Sequence, residues 1–333
     1  MQSNYKPTSE NIELIQSYIW TTARHDYNVY EKRVIYRVVE MMQSQLSGLK
    51  LNENHSINKD LFDTYDIEMP IDALLNGEDD KNYSRVKAAL ISLTKKNFQF
   101  EDAKEWRSIP VILLPKIRKY NSTVNFRLHD EIYRVFMNFS KGFKKYELKT
   151  AFKLESANAM RFYELFSKQK TPLTYTILEL KKMFGVEEKY KFTKDFIKRV
   201  IEASKKELDK KSPTSFEFST VKHGKKITAV TFYPYEITKN KDKDLAMKTL
   251  DKTIQPHIYI ERNALNYLRE QFEMSTSEIQ NNVDLFMQAT KEIPDMLLFL
   301  SQVKPKANRA KNPKGYLIGA IKKRLSKSEE NEK

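Results

Sequence analysis

From Ser156 to Phe232 the apolar pattern changes period, from helical to alternating, and that change restricts the folds open to the chain. Ala159, Phe162, Tyr163 and Phe166 form one helical stripe, with Ser156 placed to cap its start. Thr176 and Glu179 have the spacing of a capping box, and Leu180, Met183 and Phe184 give the helix behind it an inward face. Gly185 stands where a left-handed C-cap would end that helix. Thr193 is placed to cap a third helix, about Lys194 to Leu208, with Phe196, Val200 and Ala203 inward. The period then drops to two. Phe216 and Phe218, a turn at His223 and Gly224, and Thr228, Val230 and Phe232 predict a hairpin. Three helices that feed a hairpin follow the order of a winged helix-turn-helix, in which the hairpin is the wing.

An earlier segment, about Ser9 to Phe139, repeats the order. Val34, Val38, Met41 and Gln45, widened by Ile35 and Met42, predict a long helix over Val29–Leu46. Val86, Ala89, Leu90 and Leu93 predict a helix from Tyr83 to about Lys95. Phe98 and Phe100 alternate with polar residues, and strands are expected at Val111–Ile117 and at Val124, Phe126 and Leu128, with a turn-like cluster at Lys119–Ser122 between them. Ile132, Val135, Phe136 and Phe139 have helical spacing again. The chain is therefore expected to be α+β and predominantly helical. It divides into two tandem winged helix-turn-helix domains (9–145 and 146–238), a polar linker (239–256) and a helical, basic C-terminal extension (257–326). Within the extension, Leu265, Leu268 and Phe272 mark one helix, Ile279, Val283 and Phe286 another, and Met296 and Leu300 a third. Lys304–Lys314 reads as a basic loop, and Asn312-Pro313 can open a last helix bearing Ile318, Ile321 and Leu325.

Charge separates these segments. The chain of 333 residues has 59 Lys+Arg against 44 Asp+Glu, a net +15, which favours a polyanionic partner. Residues 51–80 hold nine acids and one base; residues 189–226 hold twelve bases and five acids; residues 302–327 hold nine bases and no acid.

Most catalytic chemistry is excluded by what is missing. No cysteine is present, so there is no thiolate metal site, disulfide or Cys nucleophile. The five histidines (25, 55, 129, 223, 257) make neither an HxxxH zinc helix nor the His-x-His pair that a rolling-circle nicking enzyme needs. The seven glycines cannot build a Walker A loop or a GxGxxG turn, and no GxSxG elbow occurs. No apolar run is long enough for a membrane span, and MQSNYKPTSE has no signal core. The reading is a non-enzyme without cofactor, metal or catalytic residues, and without a membrane partner.

The candidate nucleic-acid contacts lie mainly on the third helix of the second domain: Lys191, Thr193, Lys194, Lys198, Arg199 and Lys205. A recognition helix enters the major groove and its N-terminal part reaches base edges, where Arg suits guanine and Lys or Thr suits bases and phosphates. Lys222, His223, Lys225 and Lys226 at the wing tip would follow the flanking backbone. In the first domain Ser84, Arg85 and Lys87 face outward, but acids crowd just before them, so a weaker backbone contact or a protein interface is expected.

The stretches 156–166, 176–185 (TILELKKMFG) and 190–208 (YKFTKDFIKRVIEASKKEL) resemble the second winged-helix domain of plasmid replication initiator (Rep) proteins. Residues 83–98, Trp106 and 124–139 are similar to that family's first domain, and 312–322 (NPKGYLIGAIK) to a tail found on some members. The resemblance implies a bacterial cytoplasmic initiator that binds repeated origin sequences (iterons) in double-stranded DNA. It further implies opening of an AT-rich region and recruitment of host replication factors such as a helicase. Dimerisation would run through the first domain, the dimer often repressing its own gene. Base contacts would come from the helix holding Lys194, Lys198 and Arg199. That helix is lysine-rich with a single Arg, so individual base contacts do not carry over. A transcriptional repressor on the same fold is the close alternative, and a rolling-circle nicking enzyme the alternative from another class.

Overall fold

The computed structural model describes residues 11–46, 51–76, 80–101, 105–118, 120, 122–137, 139, 142–245 and 261–331. Most of the expected linker (246–256) and the start of the extension (257–260) lie outside the described residues.

The first unit opens with β1 (Glu13–Ser17) and α1 (Tyr18–Thr22), followed by α2 (Val29–Leu46), whose range agrees with its apolar stripe. Two strands follow inside the acidic stretch, β2 (Ser56–Lys59) and β3 (Thr64–Pro70). Next come α3 (Tyr83–Leu93), β4 (Asn97–Glu101), β5 (Trp106–Pro110), β6 (Leu113–Arg118), β7 (Thr123–His129) and α4 (Asp130–Phe136). The wing of this unit is therefore the β4–β5 hairpin, which pairs antiparallel from Asn97 with Pro110 to Glu101 with Trp106. The strand expected at Val111–Ile117 begins only at Leu113, because Val111 and Ile112 turn inward to the core between β5 and β6. β6 and β7 do pair, but in a separate sheet of order β2-β3-β7-β6. Phe139 is buried, yet it lies beyond the end of α4.

The second unit is entered through β8 (Phe143–Glu147), which pairs antiparallel with β1. The division expected between residues 145 and 146 falls inside this strand. α5 (Leu148–Lys153) and α6 (Ala157–Phe166) follow, then β9 (Leu173–Thr176) and α7 (Ile177–Met183). A continuous helix over 193–211, α8, leads to β10 (Thr214–His223) and β11 (Lys226–Glu236). The sheet order is β10-β11-β9, so the hairpin gains a third strand, a four-residue alternation of Leu173 and Tyr175 with threonines that is too short to stand out in the sequence. Phe162, Phe166, Phe216 and Phe232 pack in tilted and edge-on contacts at the centre of this unit, all fully buried.

Local chemistry fixes the helix ends. Ser156 Oγ accepts from the Ala159 amide at 3.4 Å. Thr176 Oγ1 accepts from the Glu179 amide (3.1 Å) while Glu179 Oε2 accepts from the Thr176 amide (2.7 Å), a complete capping box. Gly185 has φ +60°, and a side chain there would come within 2.9 Å of the Asp26 Cβ, so both conformation and space require glycine.

The C-terminal helices, α9 (Arg262–Gln271), α10 (Thr276–Gln280), α11 (Val283–Glu292), α12 (Met296–Ala307) and α13 (Pro313–Asn331), are not a free tail. Leu268, Phe286, Leu300, Leu317 and Ile321 belong to the same core as Val38, Phe126 and Phe136 of the first unit. Phe139 stacks against Tyr267 with centroids 6.5 Å apart. The expected basic loop begins late, since Lys304–Ala307 continue α12 through Pro305. Val283, expected on the apolar stripe, is exposed at the start of α11. Among the described residues, no helix is long and apolar enough to cross a membrane.

Candidate nucleic-acid interface

The two units are joined by a buried polar contact that orients the helix-turn-helix. Glu164 Oε1 on α6 accepts from Lys32 Nζ (2.7 Å) and from the Tyr36 hydroxyl (2.6 Å) on α2, with all three side chains buried. Arg161, one helical turn earlier, donates to the Thr21 carbonyl (3.2 Å) and lies 2.7 Å from His25 Nε2. Burial and the neighbouring Arg161 and Lys32 cations hold the His25 pKa well below its ordinary value. The following residues reach the turn itself: the His25 amide donates to the Met183 carbonyl (3.4 Å), and Arg24 pairs with Glu187 (2.8 Å).

Beyond that turn, Lys181 Nζ donates to the Tyr190 carbonyl (2.6 Å), and Tyr190 packs edge-on against Phe196. Phe192 is the N-cap of α8, and its carbonyl accepts from the amides of Asp195 and Phe196. Thr193 is thus the first helical residue rather than the cap. Over Ile197–Glu202 the helix widens to a π-helix. The buried face runs through Phe196, Val200, Ser204 and Leu208, four apart, with Ile197 and Ile201 beside them, and Ala203 is left in solvent instead of inward. The far end is held by Glu207, which accepts from the amides of Glu155 (2.6 Å) and Ser156 (3.2 Å).

Lys191, Lys194, Lys198 and Arg199 are exposed, and no ion pair engages them among the described residues. Thr193 is half-buried beside them. Lys205 differs. It pairs with Asp209 (2.9 Å) and Glu217 (3.0 Å), and although partial burial opposes it, hydrogen bonds to Asp209, Glu217 and Tyr235 raise its pKa. It braces α8 against β10 and is not part of the open cationic row. At the wing, His223 pairs with Lys226 across a two-residue loop, with Gly224 at φ +59°. Lys222, His223, Lys225 and Lys226 are all exposed there.

In the first unit Ser84, Arg85 and Lys87 are exposed at the head of α3, as expected. Asp80 lies just ahead of them and accepts from the Asn82 side chain (2.6 Å), Tyr30 (3.2 Å) and Arg33 (3.2 Å). Asp72 accepts from the Tyr83 hydroxyl (2.9 Å). Two carboxylates thus lie beside the head of α3, one of them paired with the buried Arg33.

Sequence reading missed Phe192. Residues 192, 196 and 200 are four apart, so periodicity alone places Phe192 on the buried stripe. It is instead 64% exposed, because it precedes the helix.

Residues 13–167 match the family model described as Initiator Replication protein, WH1, and residues 176–234 match that described as Initiator Rep protein, WH2. No curated protein matches the chain. One similar solved structure is the crystal structure of Pi initiator protein in complex with iteron DNA. It is 15% identical, has a TM-score of 0.48, and the similarity covers 68% of this chain and 98% of that one. The two family models span the two helix-to-hairpin units in order, so the chain belongs to the initiator Rep family: it is a DNA-binding replication initiator with tandem winged-helix domains.

Proposed function

We propose that the protein starts plasmid replication by binding repeated origin sequences in double-stranded DNA, with the N-terminal half of α8 in the major groove and the wing tip along the flanking backbone. The observation that supports this most is the row Lys191, Lys194, Lys198 and Arg199, exposed and unengaged by carboxylates on a helix held from behind by Phe196 and Val200. Strand opening draws on binding energy and DNA deformation, with no catalytic step and no cofactor.

The first domain serves self-association to a homodimer and at most weak backbone contact through Ser84, Arg85 and Lys87. Host factors such as a helicase dock on the DNA-bound protein, in the bacterial cytoplasm. In the extension, Lys306, Arg309, Lys311, Lys322 and Lys323 are exposed and add sequence-independent backbone contacts, whereas Lys314 is paired with Glu278 (2.8 Å). Repression of the protein's own gene is a second use of the same interface. The test is a footprint of the full chain on its own plasmid together with an origin-dependent replication assay. Protection of direct repeats and replication in trans support the proposal. Protection of a promoter alone, with no replication, makes the protein a repressor.

A further inference from the structure

Phe192 is held in solvent by a rigid frame. Its carbonyl is fixed by two amides of the first turn of α8, and the residue two before it is anchored by Lys181 and by packing on Phe196. Its own ring makes no aromatic contact among the described residues and remains 64% exposed. A large apolar side chain gains nothing from water, and a solvated loop would serve as well with a polar residue. Phe192 stands in the sequence between Lys191 and Lys194, both exposed, so the local charge attracts a polyanion and disfavours a purely apolar protein partner. In the major groove one apolar group is displayed at base edges, the 5-methyl of thymine, and the start of a recognition helix is the part that reaches base edges.

We infer that Phe192 is a specificity-determining residue that reads thymine through its 5-methyl group. The inference rests on the proposed placement of α8 in the groove. It adds a shape-based contact to the charged ones of Lys198 and Arg199, and it predicts thymine at a fixed position of each bound repeat, next to the bases those residues address.

The experiment uses the full chain and the duplex that it footprints on its own plasmid, synthesised with thymine or with deoxyuridine substituted one position at a time. Deoxyuridine keeps the base pair and removes only the methyl. Wild-type protein should lose about 4-fold in affinity at one or two thymines per repeat, the factor that matches burial of a single methyl group. Phe192→Ala should bind the thymine duplex about as the wild type binds the deoxyuridine duplex, lose nothing more on deoxyuridine, and be unchanged on random DNA. Phe192→Leu should restore most of the thymine preference. Equal losses by Phe192→Ala on both duplexes, or no deoxyuridine effect in the wild type, would overturn the inference. The variant Lys198→Ala with Arg199→Ala separates the two levels. If it abolishes discrimination while Phe192→Ala has no methyl-dependent effect, only the thymine contact fails. If it too leaves discrimination intact, the placement of α8 in the groove fails.

Discussion

The helices α3 and α8 occupy the same place in two copies of one architecture, each leading into a hairpin, yet they face a phosphate differently. At the head of α3, Asp72 and Asp80 are fixed by hydrogen bonds, so the exposed Arg85 and Lys87 stand behind two carboxylates. At the head of α8 the exposed residues include Lys191, Lys194, Lys198 and Arg199, while Lys205, with carboxylate partners, is drawn back to the hairpin and Lys211 pairs with Glu155 and Glu207 at the far end. Fold alone does not make a DNA reader. Carboxylates flank the head of α3, one of them paired with Arg33, whereas the exposed cations at the head of α8 have no ion pair among the described residues.

The largest expected effect tests that contrast through salt. If the protein neutralises ~6–10 phosphates, affinity should fall ~10³–10⁵-fold between about 50 and 200 mM salt. Replacing Lys222, Lys225 and Lys226 together with Gln should lower the log–log slope by about three, as each lost phosphate contact lowers it by about one. Replacing Arg85 and Lys87 should lower it by less than one. Equal slopes for the two variants would erase the distinction between the units.

A second contrast concerns stability. Leu268 lies far outside the matched segments but in the first unit's core. Leu268→Ala should cost about 2–5 kcal/mol in urea unfolding, as buried leucine truncations do. The ratio of affinities for origin repeats and random DNA should stay unchanged in the folded fraction. Lys198→Ala with Arg199→Ala should do the reverse. Circular dichroism and unfolding should match the wild type, while the specific site loses ~1–3 kcal/mol and random DNA much less.

The smallest effect lies at the contact between the units. Unfolded, the His25 imidazole takes up a proton as pH falls through about 6.5; folded, burial opposes the charge, as do Arg161 and Lys32. Stability is therefore complete above about pH 6.5 and declines below it, by about 1 kcal/mol at one pH unit lower. Thermal melts at pH 7.5 and 5.5 should show this loss, and His25→Gln, which keeps a hydrogen-bonding group beside Arg161, should flatten it.

Much of this was legible in the sequence where a single face is buried. α7 follows its stripe and its cap because one amphipathic helix needs no knowledge of its neighbours, whereas α2 and α6 were placed by their apolar stripes but are buried all round, polar Lys32, Arg161 and Glu164 included. Tyr65, Ile67 and Met69 alternate with Asp66 and Glu68, a real strand signal for β3 that the surrounding acids hid. Glu13–Ser17 gave no alternation, since Leu14 and Ile15 are buried in the two different cores. The extension's stripes were readable, but a stripe says what is buried and not against what, so its docking on the first unit was not. On α8 the cationic face was readable. The π segment was not, because it puts polar Ser204 inward and leaves apolar Ala203 out.

The shared core of the first unit and the extension has a consequence in time. A chain emerges from the ribosome N-terminus first, at roughly 5–20 residues per second. The second unit's core draws its last member from Phe232, but the first unit's core waits for Leu325. The interval is roughly 5–20 s at that rate. The core that holds Phe162 and Phe232, which also takes in Leu14 and Tyr36, has all its members while Val38, Phe126 and Phe136 still await partners not yet synthesised. Each newly made molecule thus passes through a period in which one of its two cores has all its members and the other does not.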